Sequence, residues 1–225
     1  MSLIGIKMNS TGRRAVFVDR DGVVNRMHFD ADFGLIDSPA NPDQFELLPG
    51  VGQGISSLNE IGLAVVVVSN QPGIAKGKFT QALLRAMEDK MLSSIAADGG
   101  NVDAIYNCLH HPDAVVDEYR ARCDCRKPEP GLFLKAAADL SIDLSHSYTV
   151  GDGVTDIAAG KAAGTTALFV SNRKCYNCDA LIEYQTWPDY IVSDLGEAAA
   201  VIRSLEAGDG DFANEFRLKC TPTGR

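Results

Sequence analysis

Six short apolar runs alternate with helix-like segments along the chain, and this alternation restricts the fold more than any other feature. The runs are Ala15 to Val18, Leu63 to Val68, Ala104 to Tyr106, Tyr148 to Val150, Ala167 to Val170 and Tyr190 to Val192. Each has the length and the Val, Ile and aromatic content of a buried parallel strand. Between them, Val51 to Ile61 reads as a helix stopped by Gly62, and Thr155 to Ala163 as one stopped by Gly164. Thr80 to Ala97 carries Leu83, Leu84, Met87, Met91 and Ile95 on one stripe, and Pro130 to Leu140 completes the set. The pattern predicts an α/β fold, a doubly wound and mostly parallel sheet of the Rossmann kind, in which the chemistry collects at the carboxyl ends of the strands.

At 225 residues, 45% of them hydrophobic, the chain can bury one full core. Residues 1–205 read as one domain, and 206–225, with Gly, charge and scattered apolars but no period, as a loosely ordered tail. The longest apolar run is too short to span a bilayer, and the N-terminus lacks the apolar core of a signal peptide, so a cytoplasmic protein without a membrane partner is expected. A net charge of −9 offers no basic stripe for nucleic acid, whereas a small anionic substrate can still be met by local cations and a metal.

Four strand ends carry polar signatures. The first run leads into Asp19-Arg20-Asp21-Gly22, and residues two apart in an extended segment point the same way, so both carboxylates can face one pocket. Such a pair repels itself unless a hard cation compensates, and Mg²⁺ takes one or two carboxylates, water and a phosphate oxygen. One carboxylate could then attack phosphorus while the other protonates the leaving oxygen and later activates water. Taken alone, Asp-x-Asp after a strand fits a solvated or calcium-binding loop equally well.

The second end, Ser69-Asn70-Gln71-Pro72-Gly73, offers a hydroxyl and backbone N–H groups to a phosphate, or is an ordinary turn. The third, Arg126-Lys127-Pro128, places Lys127 as a point charge for phosphoryl oxygens and for Asp19, or as a solvated lysine. The fourth, Gly151-Asp152-Gly153-Val154-Thr155-Asp156, supplies Asp152 as a metal ligand and Asp156 to orient Lys127 or cap a helix. Their joint occurrence favours phosphoryl transfer over four separate accidents.

A second cluster stands between the third run and Lys127. Cys108-Leu109-His110-His111 and Cys123-Asp124-Cys125 supply the sulfur and nitrogen ligands that Zn²⁺ accepts in a closed tetrahedral site. Spacing alone does not choose between His110 and His111. Such a site would clamp the loop over residues 107–126 and fix the approach of Arg126 and Lys127. Cys175 and Cys178 form a further Cys-x-x-Cys, read as free thiols in a loop, and His28 and His146 are read as surface residues.

With these residues in view, the sequence resembles the haloacid dehalogenase superfamily, whose four motifs stand here as Asp19-Arg20-Asp21-Gly22, Ser69-Asn70-Gln71, Lys127-Pro128 and Gly151 to Asp156. The resemblance implies Asp19 as nucleophile, Asp21 as general acid and base, Ser69 and Lys127 as phosphate grips, and Asp152 as the metal carboxylate. It also implies a phosphatase or phosphotransferase, because dehalogenases lack the second Asp. The stretch Tyr106 to Pro112 followed by Cys123 to Pro128 is similar to the D-glycero-D-manno-heptose 1,7-bisphosphate phosphatases and the related histidinol-phosphate phosphatases, as is Ser69 to Gly77. In those families the zinc ligands correspond to Cys108, His110, Cys123 and Cys125, and the zinc is structural.

The resemblance covers about Ala15 to Val170. Ser69 stands where the family usually has Thr, the loop from Arg26 to Phe45 is longer than the heptose enzymes' substrate loop, and Ser171 to Pro188 looks like an insertion. The expected activity is a Mg²⁺-dependent phosphomonoesterase acting on a small phosphorylated metabolite, most simply a sugar phosphate. Asp19, Asp21 and Asp152 are expected to hold the metal, and Ser69, Asn70, Gln71, Arg126 and Lys127 the phosphate. Met27, His28, Phe29 and Asp30 are expected to choose the leaving group, with no large cap domain. Histidinol phosphate is the alternative substrate, a DNA-end phosphatase a more distant one, and a catalytically silent metal-binding module the alternative outside enzymes.

Overall fold

The computed structural model describes residues 12–31, 34–171 and 176–217. Six strands form one parallel sheet: β1 (Ala15–Val18), β4 (Ala64–Asn70), β5 (Ala104–Cys108), β6 (Tyr148–Gly151), β7 (Thr166–Val170) and β8 (Tyr190–Val192), in the order β5-β4-β1-β6-β7-β8. They coincide with the six apolar runs to within two residues at each end. A separate antiparallel hairpin pairs β2 (His28–Asp30) with β3 (Leu35–Asp37) inside the loop that follows β1.

The strand order reverses at β1. The chain leaves β1 for β4 and β5 on one side, then returns to place β6 and β7 on the other. The connections leaving the carboxyl ends of β1 and β6 lead to helices on opposite faces of the sheet, and Asp19 and Asp152 follow these two ends.

Alternation along β1 divides the core between the two faces of the sheet. Val16 and Val18 join Ile55 and Leu58 of α1 (Val51–Glu60), Met87, Met91 and Ile95 of α2 (Gln81–Ala97), and Val201 and Ile202 of α6 (Leu195–Glu206). Ala15 and Phe17 point the other way, to Leu132, Phe133 and Ala136 of α3 (Gly131–Leu140) and Ala159 of α4 (Val154–Ala163). The Phe17 and Phe133 ring centroids lie 4.9 Å apart. Each fully buried side chain of this size contributes about 1.5–3 kcal/mol, so the two faces hold the sheet rigid beneath its carboxyl edge.

Local chemistry sets the helix ends. The Thr80 hydroxyl accepts from the Leu83 N–H to open α2, the Asp194 carboxylate accepts from the Glu197 N–H to open α6, and Gly164 closes α4 at φ 92°.

Within the stretch expected to be a loosely ordered tail, residues 210–216 form a short helix, α7 (Gly210–Phe216), that packs Ala213 into the core, stacks Phe212 near Phe216 and leads to a bridge between Arg217 and Tyr190. Seven residues are too few to display a period, and the contacts that hold this helix come from α6 and β8. Cys175 lies outside the described residues. Cys178 belongs to α5 (Tyr176–Glu183), and its side chain is likewise outside them. Among the described residues no helix is long and apolar enough to cross a membrane.

Candidate active site

Asp19, Asp21, Ser69, Asn70, Lys127, Asp152 and Asp156 all line one cleft of about 170 Å³ at the carboxyl edge of the sheet, together with Ser38, Gly153 and Thr155. Residues from four distant parts of the chain thus meet at the point where the strand order reverses.

Lys127 is the hub. Its ammonium is buried and lies 2.7 Å from Asp19 Oδ1, 2.6 Å from Asp156 Oδ1 and 2.8 Å from the Val68 carbonyl oxygen. All three of its donors are therefore engaged within the protein. Burial works against its charge, but Asp156 and then Asp19 hold its pKa above the usual lysine value. Asp156 receives a second hydrogen bond from the Gly153 N–H, so the helix start that carries it is also fixed.

Asp19 is the surplus carboxylate of this group. Burial first, and then the Asp156 charge, push its carboxyl up to about 8 against the pull of Lys127. Lys127 is thus shared between Asp19 and Asp156, while Arg20 serves Asp21. Oxygen atoms of Asp19, Asp152 and Asp156 lie within 4.8 Å of one another, close enough to share one ion. With both Asp156 oxygens already in use, Asp19 and Asp152 are the better donors, a set of hard oxygens that suits Mg²⁺. Close approach at Gly22 keeps that cradle open: it sits at φ 92°, and a Cβ there would run into the Asp152 carboxylate.

Asp21 lines the same cleft but does not join the three acids whose oxygens gather within 4.8 Å. Its Oδ1 accepts from Arg20 Nε at 3.2 Å, Arg20 Nη2 at 3.0 Å and Asn25 Nδ2 at 3.0 Å; its Oδ2 accepts from Gln71 Nε2 at 2.7 Å and Arg20 Nη2 at 3.1 Å. Arg20 and Asn25, which the motif reading passed over, are both almost wholly buried beneath it. Their residue types signalled nothing in sequence, because a buried Arg and a solvated one look alike there.

Asn70 and Gln71 also have work other than touching a phosphate. Asn70 donates through Nδ2 to the Lys127 carbonyl and accepts at Oδ1 from the Lys127 N–H, both at 3.0 Å, so it pins the lysine's backbone. Gln71 bridges Asp21 and the Ser69 hydroxyl, the latter at 2.8 Å.

The cysteine and histidine cluster forms as the spacing suggested. Sulfur separations are 3.6 Å for Cys108 to Cys123, 3.2 Å for Cys108 to Cys125 and 3.2 Å for Cys123 to Cys125; His110 Nδ1 lies 3.9 Å from Cys108 and 3.4 Å from Cys125. A tetrahedral zinc with bonds near 2.3 Å to sulfur would have edges of about 3.8 Å, so the four groups fit such an ion with little movement. Burial pushes the Cys108 thiol up, and burial with its neighbouring thiols pushes Cys125 up; Cys123, against its own burial, is held down by hydrogen bonds from Cys125 and Cys108. His111 is not part of the cluster.

Register explains why this loop serves the cleft. Cys108 pairs with Asn70 across β5 and β4, and Asn70 grips Lys127. The loop that leaves at Cys108 is gathered where its three sulfurs and His110 meet and returns at Cys125, two residues before the lysine. Arg126 points back to the His110 carbonyl at 3.5 Å and does not line the cleft.

Met27, His28 and Phe29 also stand outside the cleft lining, and Asp30 ends β2. The loop reaches the cleft through Ser38 instead, just beyond β3, where Asp37 is paired with Lys78. The paired runs His28-Phe29-Asp30 and Leu35-Ile36-Asp37 around Gly34 were the available hairpin signal.

A family model described as HAD-hydrolase-like matches residues 124–198. The D-glycero-beta-D-manno-heptose-1,7-bisphosphate 7-phosphatase of Escherichia coli O6:H1 is 38% identical over 193 residues, which span 85% of this chain and 95% of that protein. The enzyme of the same description from Vibrio cholerae is 39% identical over 150 residues, 67% of this chain and 76% of its own. Among solved structures, the D,D-heptose 1,7-bisphosphate phosphatase of B. bronchiseptica, complexed with magnesium and phosphate, is 34% identical with a TM-score of 0.69, covering 86% of this chain and 99% of that one. An L-2-haloacid dehalogenase of Xanthobacter autotrophicus, 12% identical with a TM-score of 0.55 over 86% of this chain and 99% of its own, shares the fold alone. The chain is therefore a phosphatase of the haloacid dehalogenase superfamily and belongs to the family of the heptose-bisphosphate phosphatases.

Proposed function

We propose that this phosphatase is Mg²⁺-dependent, works through an aspartyl-phosphate at Asp19, and takes a sugar phosphate of the D-glycero-D-manno-heptose 1,7-bisphosphate type. The observation that carries the reading is the convergence of Asp19, Asp152 and Asp156 oxygens within 4.8 Å of one another, beside the buried ammonium of Lys127. Asp19 and Asp152 would hold the cation, which supplies neutralising charge for the carboxylates and the phosphoryl oxygens.

The chain's own residues account for the remaining chemistry. An Asp19 oxygen attacks phosphorus as the bond to the leaving oxygen breaks; the bonding pair stays on that oxygen, which takes a proton from Asp21. Asp21 then removes a proton from water, the water oxygen attacks phosphorus, and the bond to Asp19 breaks to release phosphate. Ser69 donates its hydroxyl to a phosphoryl oxygen. Lys127 contributes its charge from behind Asp19, with Asp156 fixing its position and Asn70 its backbone. Cys108, His110, Cys123 and Cys125 would hold a structural zinc that keeps the loop leading into Lys127 in place.

The test is hydrolysis of a panel of phosphorylated sugars and histidinol phosphate with Mg²⁺ present, on the native chain and on Asp19→Asn. The heptose bisphosphate should be preferred and the variant should be inactive. Unchanged turnover in Asp19→Asn at saturating Mg²⁺ would sink the mechanism, and a preference for histidinol phosphate would sink the substrate assignment.

A further inference from the structure

The acid of a phosphatase must meet the leaving oxygen at the moment the phosphoryl group is seated, so something has to set the distance between acid and phosphate grip. One buried side chain touches both. Gln71 is 1% exposed, and its Nε2 lies 2.7 Å from Asp21 Oδ2 and 2.8 Å from Ser69 Oγ.

The direction of these bonds follows from donor chemistry. A carboxylate such as Asp21 only accepts, so the Gln71 nitrogen and not its oxygen must face it. The amide has two hydrogens, one for each partner. Because the Ser69 oxygen accepts one of them, the serine's own hydrogen is left to be donated elsewhere, and Ser69 opens onto the cleft.

Asp21 is held from two sides. Arg20 reaches both oxygens and Asn25 takes Oδ1, while Gln71 makes the shortest bond of all, 2.7 Å to Oδ2. An apolar residue of equal volume would fill the same space, but it would take away the shortest bond to Asp21 Oδ2 and the donor to the Ser69 oxygen.

We propose that Gln71 is a positioning residue that yokes the phosphate-gripping hydroxyl of Ser69 to the proton-transferring carboxylate of Asp21. This rests on the roles assigned above to Asp21 and Ser69. Gln71 does not touch the reacting atoms; it ties the Oδ2 side of Asp21 to Ser69 and frees the Ser69 proton for the phosphate.

The test exploits leaving groups. An aryl phosphate with a good leaving group has little need of an acid, whereas an alkyl phosphate depends on one. Both are measured as kcat/KM, which reports the first phosphoryl transfer and not the hydrolysis of the aspartyl-phosphate common to both substrates, on a single preparation of Gln71→Met, and the alkyl-to-aryl ratio is the readout. Poor folding lowers both rates alike and leaves the ratio unmoved. Turnover should fall on both substrates, and the ratio should fall by about tenfold or more, since misplacing a catalytic group by about 1 Å can cost 10²-fold.

Gln71→Asn, which keeps the amide but shortens its arm so that it no longer spans both partners, should move the ratio in the same direction and serves if Gln71→Met does not fold. Asp21→Asn separates the possible failures. A ratio that drops in Asp21→Asn but stays at the native value in both Gln71 variants overturns the yoke and leaves Asp21 as the acid. A native ratio in Asp21→Asn overturns the acid assignment, and the yoke with it.

Discussion

Neutralising Asp19 should make the magnesium-free protein more stable, and more so as pH rises. Its side chain is 12% exposed, and its carboxyl is raised from 3.8 to about 8, chiefly by burial and then by Asp156. A raised carboxyl means that the folded state holds the proton more tightly than the unfolded chain. Its contribution is therefore most favourable below the unfolded value and is lost as pH rises from about 4 to about 8.

The charged form costs the metal-free fold roughly 5 kcal/mol by pH 8.5, of which roughly 2 kcal/mol is already present at pH 5.5. Relaxation of the cleft and entry of water return part of this. We expect Asp19→Asn to exceed the native chain by about 1–2 kcal/mol at pH 5.5 and by about 3–4 kcal/mol at pH 8.5.

Urea unfolding in buffer freed of Mg²⁺ by desalting, without a chelator that would strip the thiol-bound metal, measures the difference. Adding Mg²⁺ at about 100 times its dissociation constant should return about 2.7 kcal/mol to the native chain and much less to the variant. A variant no more stable than the native chain at pH 8.5, or an advantage that does not grow with pH, would refute the account of Asp19 as a buried surplus charge.

Further expectations concern the rest of the cleft and the zinc loop. Lys127→Met strands Asp19 and Asp156 without their buried cation and should cost about 3–5 kcal/mol in urea unfolding; adding Asp156→Asn should recover part of the loss. Gly22→Ala drives a methyl group toward Asp152 and should abolish Mg²⁺-stimulated turnover, while circular dichroism shows the helices retained. Metal analysis of protein purified without added metal should find about one zinc per chain. Cys125→Ser should lower both the zinc content and Tm, and a variant that retains full zinc would refute the assigned ligand set. Phe133→Ala, on the face of the sheet away from α1, should cost about 3–5 kcal/mol as a pure packing loss.

Much of the architecture was legible because a buried parallel strand is a local pattern. Leu63 to Val68 needs nothing beyond its own side chains to be recognised, and the residue after each such run marks a carboxyl end whatever the strand order is. That is why Asp19, Ser69 and Asp152 could be placed at a site before any topology was known. The helix at 210–216 was not legible, since a two-turn helix is too short to show a period and is held by its neighbours, and the hairpin at 28–37 left only the short signal around Gly34.

Sequence alone determined the chemistry available to this protein: paired carboxylates, a lysine, a hydroxyl and a four-ligand cluster, each tied to a strand end or a tight spacing. Tertiary structure decided how these groups divide the work. Asp21 turns from the metal group toward Arg20, Asn25 and Gln71, and Asn70 holds the Lys127 backbone where a phosphate contact had been expected. The bonds made by Gln71 and Asn70 join residues 50 and 57 positions apart. They exist only because β4 lies beside β1 in one register and β5 in another, and hydrophobic periodicity along a single strand carries no information about its neighbours' register.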